Sequence, residues 1–179
     1  VELASAQKLI SYEEYESQNS DVPKYDGDNV LIEGEDALYK SEMYLIAQND
    51  MQSPLTTPYS PSKIKLNAFG NWSSAHEKVT WTVDVPETAL YRLSFRFKQN
   101  AQDGVRSYRR LYINGVTPFA EAEKLSFAYA DGWQSLTFDY YILLEAGENT
   151  LTLEAVLGDS AEILGQLQDA VLEMNNIYR

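Results

Sequence analysis

The sequence predicts an all-β fold, a sandwich of short antiparallel strands closed by one C-terminal helix, and three observations predict it. Residues 79–100, VTWTVDVPETALYRLSFRFKQN, hold two runs in which apolar and polar side chains alternate. Period two gives a strand one dry face and one wet face, whereas a helix would scatter the same residues around its circumference. Turn signals at Pro86-Glu87-Thr88, Asn114-Gly115 and Ala146-Gly147-Glu148-Asn149 separate further alternating runs, the grammar of a β-sandwich. Only residues 159–179 change to an apolar repeat at three and four.

Taken in order, residues 1–28 are a polar lead. Ser11 is placed to cap a short helix, with Glu14 closing a capping box. Val22-Pro23 ends that helix, because the residue before a proline leaves the helical region. Asp26-Gly27-Asp28 reads as a turn. Residues 29–37 are the expected first strand of the sandwich and 38–48 a short further strand. Residues 50–62, rich in Pro, Ser and Thr, form a loop that carries Tyr59. Ile64 and Leu66 suggest a short strand before the loop Asn67-Ala68-Phe69-Gly70-Asn71-Trp72. In the central pair Val79, Trp81, Val83 and Val85 share one face, with Trp81 in the core. Tyr91, Leu93, Phe95 and Phe97 alternate with Arg92, Ser94, Arg96 and Lys98. Two successive strands of this kind are expected in one antiparallel sheet with a single side on the core.

Residues 106–113 form the next strand, closed by Asn114-Gly115, a strong hairpin signal. The AEAEK run at 120–124 suits one helical turn. Residues 133–144 and 150–157 are the last strands. Asp159 and Glu162 resemble a capping box before a helix over 161–178, where Leu164, Leu167, Val171, Met174 and Tyr178 make one apolar stripe. This helix packs on the sandwich or leads into a neighbouring domain. The expected division is therefore a lead at 1–28, a sandwich at 29–158 and a C-terminal helix at 159–179.

The chain of 179 residues has 14 Lys+Arg against 27 Asp+Glu, a formal charge of −13. That balance argues against nucleic acid, whose phosphates dominate attraction, and against anionic membrane surfaces. There is no cysteine, so disulfides, zinc–thiolate sites and thiol catalysis are excluded. No apolar run reaches the roughly 18 residues that a membrane-spanning helix needs. The opening VELASAQKLISYEEYE lacks the basic lead and apolar core of a signal peptide. The chain is thus expected to be cytoplasmic, or a mature or excised piece of a longer protein, and the apolar stripe running to its end favours an excised piece.

His76 is the single histidine and lies in a polar loop, SSAHEK. A Ser-His-Asp triad needs a histidine beside a serine and oriented by a carboxylate; no Gly-x-Ser-x-Gly elbow, P-loop or Gly-x-Gly-x-x-Gly is present. No catalytic residue is assigned, and a solvated loop histidine is the expectation. Glu33 and Glu35 share a strand face at about 6.5–7 Å between Cα atoms. Both carboxylates can reach one ion, form a glycosidase-like pair, or stand as two solvated glutamates. Arg106, Arg109 and Arg110 make a small basic cluster that suits a carboxylate or ion pairs on a wet face. Tyr59, Trp72 and Trp133 differ from the other rings: they lie in loops or at a strand start among Gly, Asn, Ser or Pro. Each is either a plug under a loop or a ring free to meet a ligand.

The succession of "VPETALYRLSFRF", an arginine-bearing strand ending in Asn114-Gly115, Trp133 and "LLEAGENTLTLE" resembles the carbohydrate-binding modules of families 6 and 35. Ile32-Glu33-Gly34-Glu35 resembles their opening E-x-E strand, and the resemblance covers roughly residues 30–157. "RRLYINGVTPF" is similar to modules within extracellular solute-binding proteins. "ETALYRL" lacks the family's Gly-x-Tyr, and the late Asp and Asn of the family have no counterpart. The resemblance implies a jelly-roll-like, galactose-binding-domain-like sandwich that binds oligo- or polysaccharide without catalysis, in an extracellular or cell-surface bacterial protein with other domains. It implies a structural calcium at Glu33 and Glu35, with Glu154 as a third ligand. It implies sugar stacking on Trp133 and Tyr59; Trp72, Asn71 and Arg109 are the further candidate carbohydrate-binding residues. The rival expectation is a structural sandwich that packs on neighbouring domains and has no sugar affinity.

Overall fold

The computed structural model describes residues 8–48, 68–69, 72–100 and 103–158. Helix α1 is Tyr12–Gln18; the strands are β1 Tyr39–Lys40, β2 Ala47–Gln48, β3 Ala68–Phe69, β4 Lys78–Val85, β5 Ala89–Gln99, β6 Ser107–Ile113, β7 Leu125–Phe127, β8 Ala130–Leu144 and β9 Gly147–Val156. A 3-10 turn, Ala120–Lys124, precedes β7. One sheet has the order β1-β4-β9-β6-β7; β5 pairs with β8, and β2 with β3. All these pairings are antiparallel.

The alternation in the sequence places the core. Val79, Trp81, Val83 and Val85 of β4 are buried, with Leu111 and Ile113 of β6 and Leu151 and Leu153 of β9. From the other side come Tyr91, Ile142 and Leu144, with Leu93, Phe95, Phe97, Leu136, Phe138 and Tyr140 packed against the same cluster. Each buried side chain of this size contributes about 1.5–3 kcal/mol through area removed from water. Rings of the two sheets meet edge to face: Phe127 of β7 lies 5.7 Å from Phe95, 4.9 Å from Phe97 and 5.7 Å from Phe138. Phe127 thus joins the sheets through their quadrupoles as well as their area.

Several expectations are corrected here. β4 and β5 follow each other in the chain but do not pair. The turn Pro86-Glu87-Thr88 carries the chain across the core, so β4 pairs with β9 and β5 with β8. Each has a dry face, and the two dry faces oppose each other. Residues 29–37 are irregular, with a turn in which the Asp36 amide donates to the Glu33 carbonyl at 3.1 Å. The Gly34 carbonyl in that turn accepts the Trp81 indole N–H at 3.0 Å, a side-chain bond in place of a ladder bond. Residues 38–48 hold two strands of two residues each. β9 begins at Gly147, inside the expected turn, and β8 begins at Ala130. The strand expected at Ile64 and Leu66 and the helix over 161–178 lie outside the described residues.

Other local expectations hold. The Ser11 hydroxyl accepts the Glu14 amide at 3.2 Å and starts α1. Asn114 and Gly115 have φ of 49° and 81°, the left-handed pair of the hairpin turn that their sequence signals. The AEAEK run forms the 3-10 turn. The lead also joins the sandwich. Tyr12 and Tyr15 pack against Phe119 at 4.9 and 5.1 Å, and the Leu90 amide donates to the Pro23 carbonyl at 2.9 Å.

Candidate functional site

β5 and β8 form a two-stranded sheet whose inner face fills the core. Their outer face carries Arg92, Ser94, Arg96 and Lys98 from β5, opposite Tyr141, Thr137 and Ser135 from β8. Trp133 falls on the same face as Ser135, two residues on, and its ring lies under the Arg96 guanidinium at 5.2 Å. The ring is half-buried while Ser94, Arg96, Ser135 and Thr137 are exposed. The Thr137 hydroxyl donates to that of Ser94 at 3.0 Å, and Arg92 pairs with Asp139 at 3.1 Å. Two register shifts, between Arg92 and Ser94 and between Phe97 and Gln99, add residues to β8 alone. Such bulges bend a strand and re-aim its side chains; the second lies beside Trp133.

Trp72 is placed differently. Its indole N–H donates to the Glu77 carbonyl at 3.1 Å, and its ring lies 6.3 Å from that of Trp81. The Arg109 guanidinium stacks on Trp72 at 4.4 Å and donates to the carbonyls of Trp72 at 3.0 Å and Tyr108 at 2.8 Å. Trp72 and Arg109, both expected in the site, therefore meet, and they meet as mutual packing. Burial pushes the Arg109 guanidinium down to about 10, against the attraction of Glu77. Glu77 is buried and was not singled out from the sequence, where it is one glutamate in a polar loop. Burial alone would raise its carboxyl, but the Tyr44 hydroxyl and the Ser74 amide, at 2.8 Å, donate to it and hold it below the ordinary range.

The three expected metal ligands do not form one donor set. Glu33 and Glu35 flank Gly34 in the irregular segment. Glu154 is buried in β9 and already engaged, by His76 Nδ1 at 3.0 Å, Lys78 Nζ at 3.5 Å and the Tyr112 hydroxyl. Burial opposes ionisation of Glu154, yet Tyr112, His76 and Lys78 hold its carboxyl below the usual value. Among the described residues no group of three or more His, Cys, Asp or Glu side chains is arranged to hold a metal ion. His76 is an exposed loop histidine, as expected, but its partner lies 78 residues away. Of the other arginines, Arg106 donates to the Ser126 hydroxyl at 3.1 Å and Arg110 pairs with Glu123 at 3.2 Å. Tyr59 and Asn71 lie outside the described residues.

No protein-family model matches the chain, and no curated protein does. Solved structures do. A family 35 carbohydrate-binding module from Clostridium thermocellum is similar at a TM-score of 0.55 and 16% identity, over 74% of this chain and 90% of that one. A GH26-CBM35 β-(1,4)-mannanase from Podospora anserina is similar at a TM-score of 0.52 and 19% identity, over 71% of this chain. The match spans only 24% of that enzyme's length. At such identities the likeness is one of fold: the chain has the β-sandwich architecture of the family 35 carbohydrate-binding modules.

Proposed function

We propose that the chain is a non-catalytic carbohydrate-binding module of a larger extracellular bacterial protein, serving polysaccharide capture or sugar uptake. The observation that carries this reading is Trp133 on the outer face of β5 and β8, beside a guanidinium and a group of exposed hydroxyls. A ring can cover the C–H face of a pyranose while hydroxyls and guanidinium groups take its oxygens. Trp133→Ala should abolish glycan binding at a smaller cost in stability than truncating a fully buried ring, because Trp133 is only half-buried. Glycan-array binding and denaturant melts of parent and variant test this. A loss of about 3–5 kcal/mol, the cost of truncating a buried large aromatic, together with no glycan response in the parent, overturns it. Polysaccharides incubated with the protein should release no reducing sugar; release that persists through repurification overturns the non-catalytic part.

A second reading is favoured by Trp72 and Arg109, whose groups satisfy each other. In it the sandwich packs on neighbouring domains and binds no sugar. For calcium we propose a reduced site at Glu33 and Glu35 without Glu154, completed by carbonyl and water oxygens, since calcium takes about six to eight oxygen ligands. The melting temperature should then rise with calcium, by linkage. Identical melting curves in excess calcium and in chelator would remove the ion from the proposal.

A further inference from the structure

Asn114 is the one asparagine of the chain that is followed by glycine, and that pair is reactive in water. A glycine nitrogen can attack the preceding side-chain carbonyl carbon, since no Cβ shields it. Here the pair is the exposed tip of the turn that closes β6. The Ile113 amide donates to the Val116 carbonyl at 2.9 Å, the Val116 amide to the Ile113 carbonyl at 3.0 Å, and the Asn114 amide to the Thr150 carbonyl at 2.9 Å. Gly115 lies outside these bonds, and the space beside its Cα is open. The nucleophile is accessible; the electrophile is held. Asn114 Oδ1 accepts the Thr150 amide at 2.8 Å, and Asn114 Nδ2 donates to Asn149 Oδ1 at 3.0 Å. Asn149 also donates to the Glu145 and Gly147 carbonyls. In that same turn the Ala146 amide donates to the Thr88 hydroxyl at 2.9 Å. Three connections, at 86–88, 114–115 and 145–149, are thus tied together at one end of the sandwich.

We propose that Asn114 is a site of covalent modification: it deamidates through an imide with Gly115, at a rate set by release of its side chain from Thr150 and Asn149, and the product unties the turns. The Gly115 nitrogen loses its proton to a solvent base and bonds to Asn114 Cγ. The Cγ–Nδ2 bond breaks, and ammonia leaves. Water then opens the ring at either carbonyl, leaving aspartate or isoaspartate; water is the only co-reactant. Attack needs the carbon in line with the nitrogen at about 3–3.5 Å. Swinging the side chain there breaks both bonds on its amide, a local opening of the folded state. With each bond worth a factor of about five, the folded chain should react about thirtyfold more slowly than the unfolded one. After reaction an oxygen stands where Nδ2 donated, so acceptor faces acceptor at Asn149 Oδ1. The modification does not depend on what the sandwich binds.

The test is incubation of the full chain in mildly alkaline buffer, with and without denaturing guanidinium chloride, followed by trypsin digestion and mass spectrometry. Cleavage after Arg110 and Lys124 frees residues 111–124, in which Asn114 is the only side-chain amide. This peptide should convert from amide to acid slowly in buffer and about thirtyfold faster in guanidinium, with isoaspartate among the products. Asn149→Ser should speed the reaction in buffer about fivefold, one bond being lost, and leave the guanidinium rate unchanged. Should that variant unfold, the ratio measured on the parent remains decisive. Asn114→Asp, which stands for the product, should lower the urea midpoint at unchanged slope. No conversion under either condition overturns the site. Equal rates for the parent in buffer and guanidinium overturn the hold by Thr150 and Asn149. Aspartate without isoaspartate means direct hydrolysis and overturns the imide. An unchanged midpoint for Asn114→Asp overturns the link to the turns.

Discussion

Asn149 is buried in β9 and uses both ends of its amide. Its Nδ2 donates to the carbonyls of Glu145 at 2.7 Å and Gly147 at 3.1 Å. Its Oδ1 accepts from Asn114 Nδ2 at 3.0 Å, and the Asn114 Oδ1 accepts the Thr150 amide at 2.8 Å. Two turns are locked by two side chains. Asn149→Ala should cost about 1–3 kcal/mol, the penalty for buried groups left unsatisfied, read as a shift in the urea midpoint at unchanged slope. Gly115→Val should cost about 1–2 kcal/mol, because φ of 81° in the same turn brings a Cβ against the backbone. Asn114-Gly115 announced its turn in the sequence. Asn149 did not, since an asparagine at the end of Ala146-Gly147-Glu148-Asn149 reads only as a turn residue. Trp133 was recognisable as a candidate because of Asp131-Gly132 before it. Trp72 and Arg109 were each recognisable too, but their stacking joins residues 37 apart, and no local pattern encodes that. Glu77 and Tyr44 carried no signal at all.

At the scale of an element, α1 shows how a helix of seven residues with no buried side chain is held. Helices this short are marginal alone. The Tyr12 hydroxyl accepts the Tyr141 amide at 2.9 Å, and the Tyr15 hydroxyl accepts the Leu143 amide at 3.0 Å. Both amides belong to one edge of β8, so the helix satisfies donors that another strand would otherwise take. Burial raises the Tyr15 hydroxyl pKa, partly countered by the Leu143 amide. Tyr12→Phe and Tyr15→Phe should each cost about 1–3 kcal/mol and speed hydrogen exchange at Tyr141 and Leu143. An unchanged exchange rate at those amides would show that the edge is held by other contacts. The N-cap of α1 was readable from Ser11, whose hydroxyl accepts the Glu14 amide. Its docking was not, because the acceptors reach strand residues 128 or more positions away.

At the scale of the molecule, stability should depend on acid through buried carboxylates. Glu77 has its carboxyl below the ordinary value of 4.5, so the folded chain binds that proton more weakly than the unfolded chain. The stabilisation is complete above about pH 4.5 and is lost as the pH falls through the lower folded value. Glu77→Gln should therefore lower the melting temperature at neutral pH and flatten its fall below pH 4.5; an unchanged slope in that window would exclude Glu77 as a source. The same scale holds the largest departure from expectation, the crossing of the core between β4 and β5.

Which residues are dry and which are wet was determined by the sequence alone, because side-chain alternation is a local property of an extended chain. Val79, Trp81, Val83, Val85 and Tyr91 needed no partner to announce a buried face, and Arg92, Ser94 and Arg96 none to announce an open one. Only the tertiary structure decided which strands share a sheet. A dry face is buried equally well by a neighbouring strand's sheet or by the opposite one, so the pattern of β4 and β5 is identical in both arrangements. The choice falls to register energies between distant segments: β4 runs with β9 from Lys78 opposite Glu154 to Val85 opposite Gly147. The same pairing sets Glu154 between Lys78 and His76. The outer face of β5 and β8 arises in the same way: its cations were written in one strand and its tryptophan in another, and pairing made them one surface.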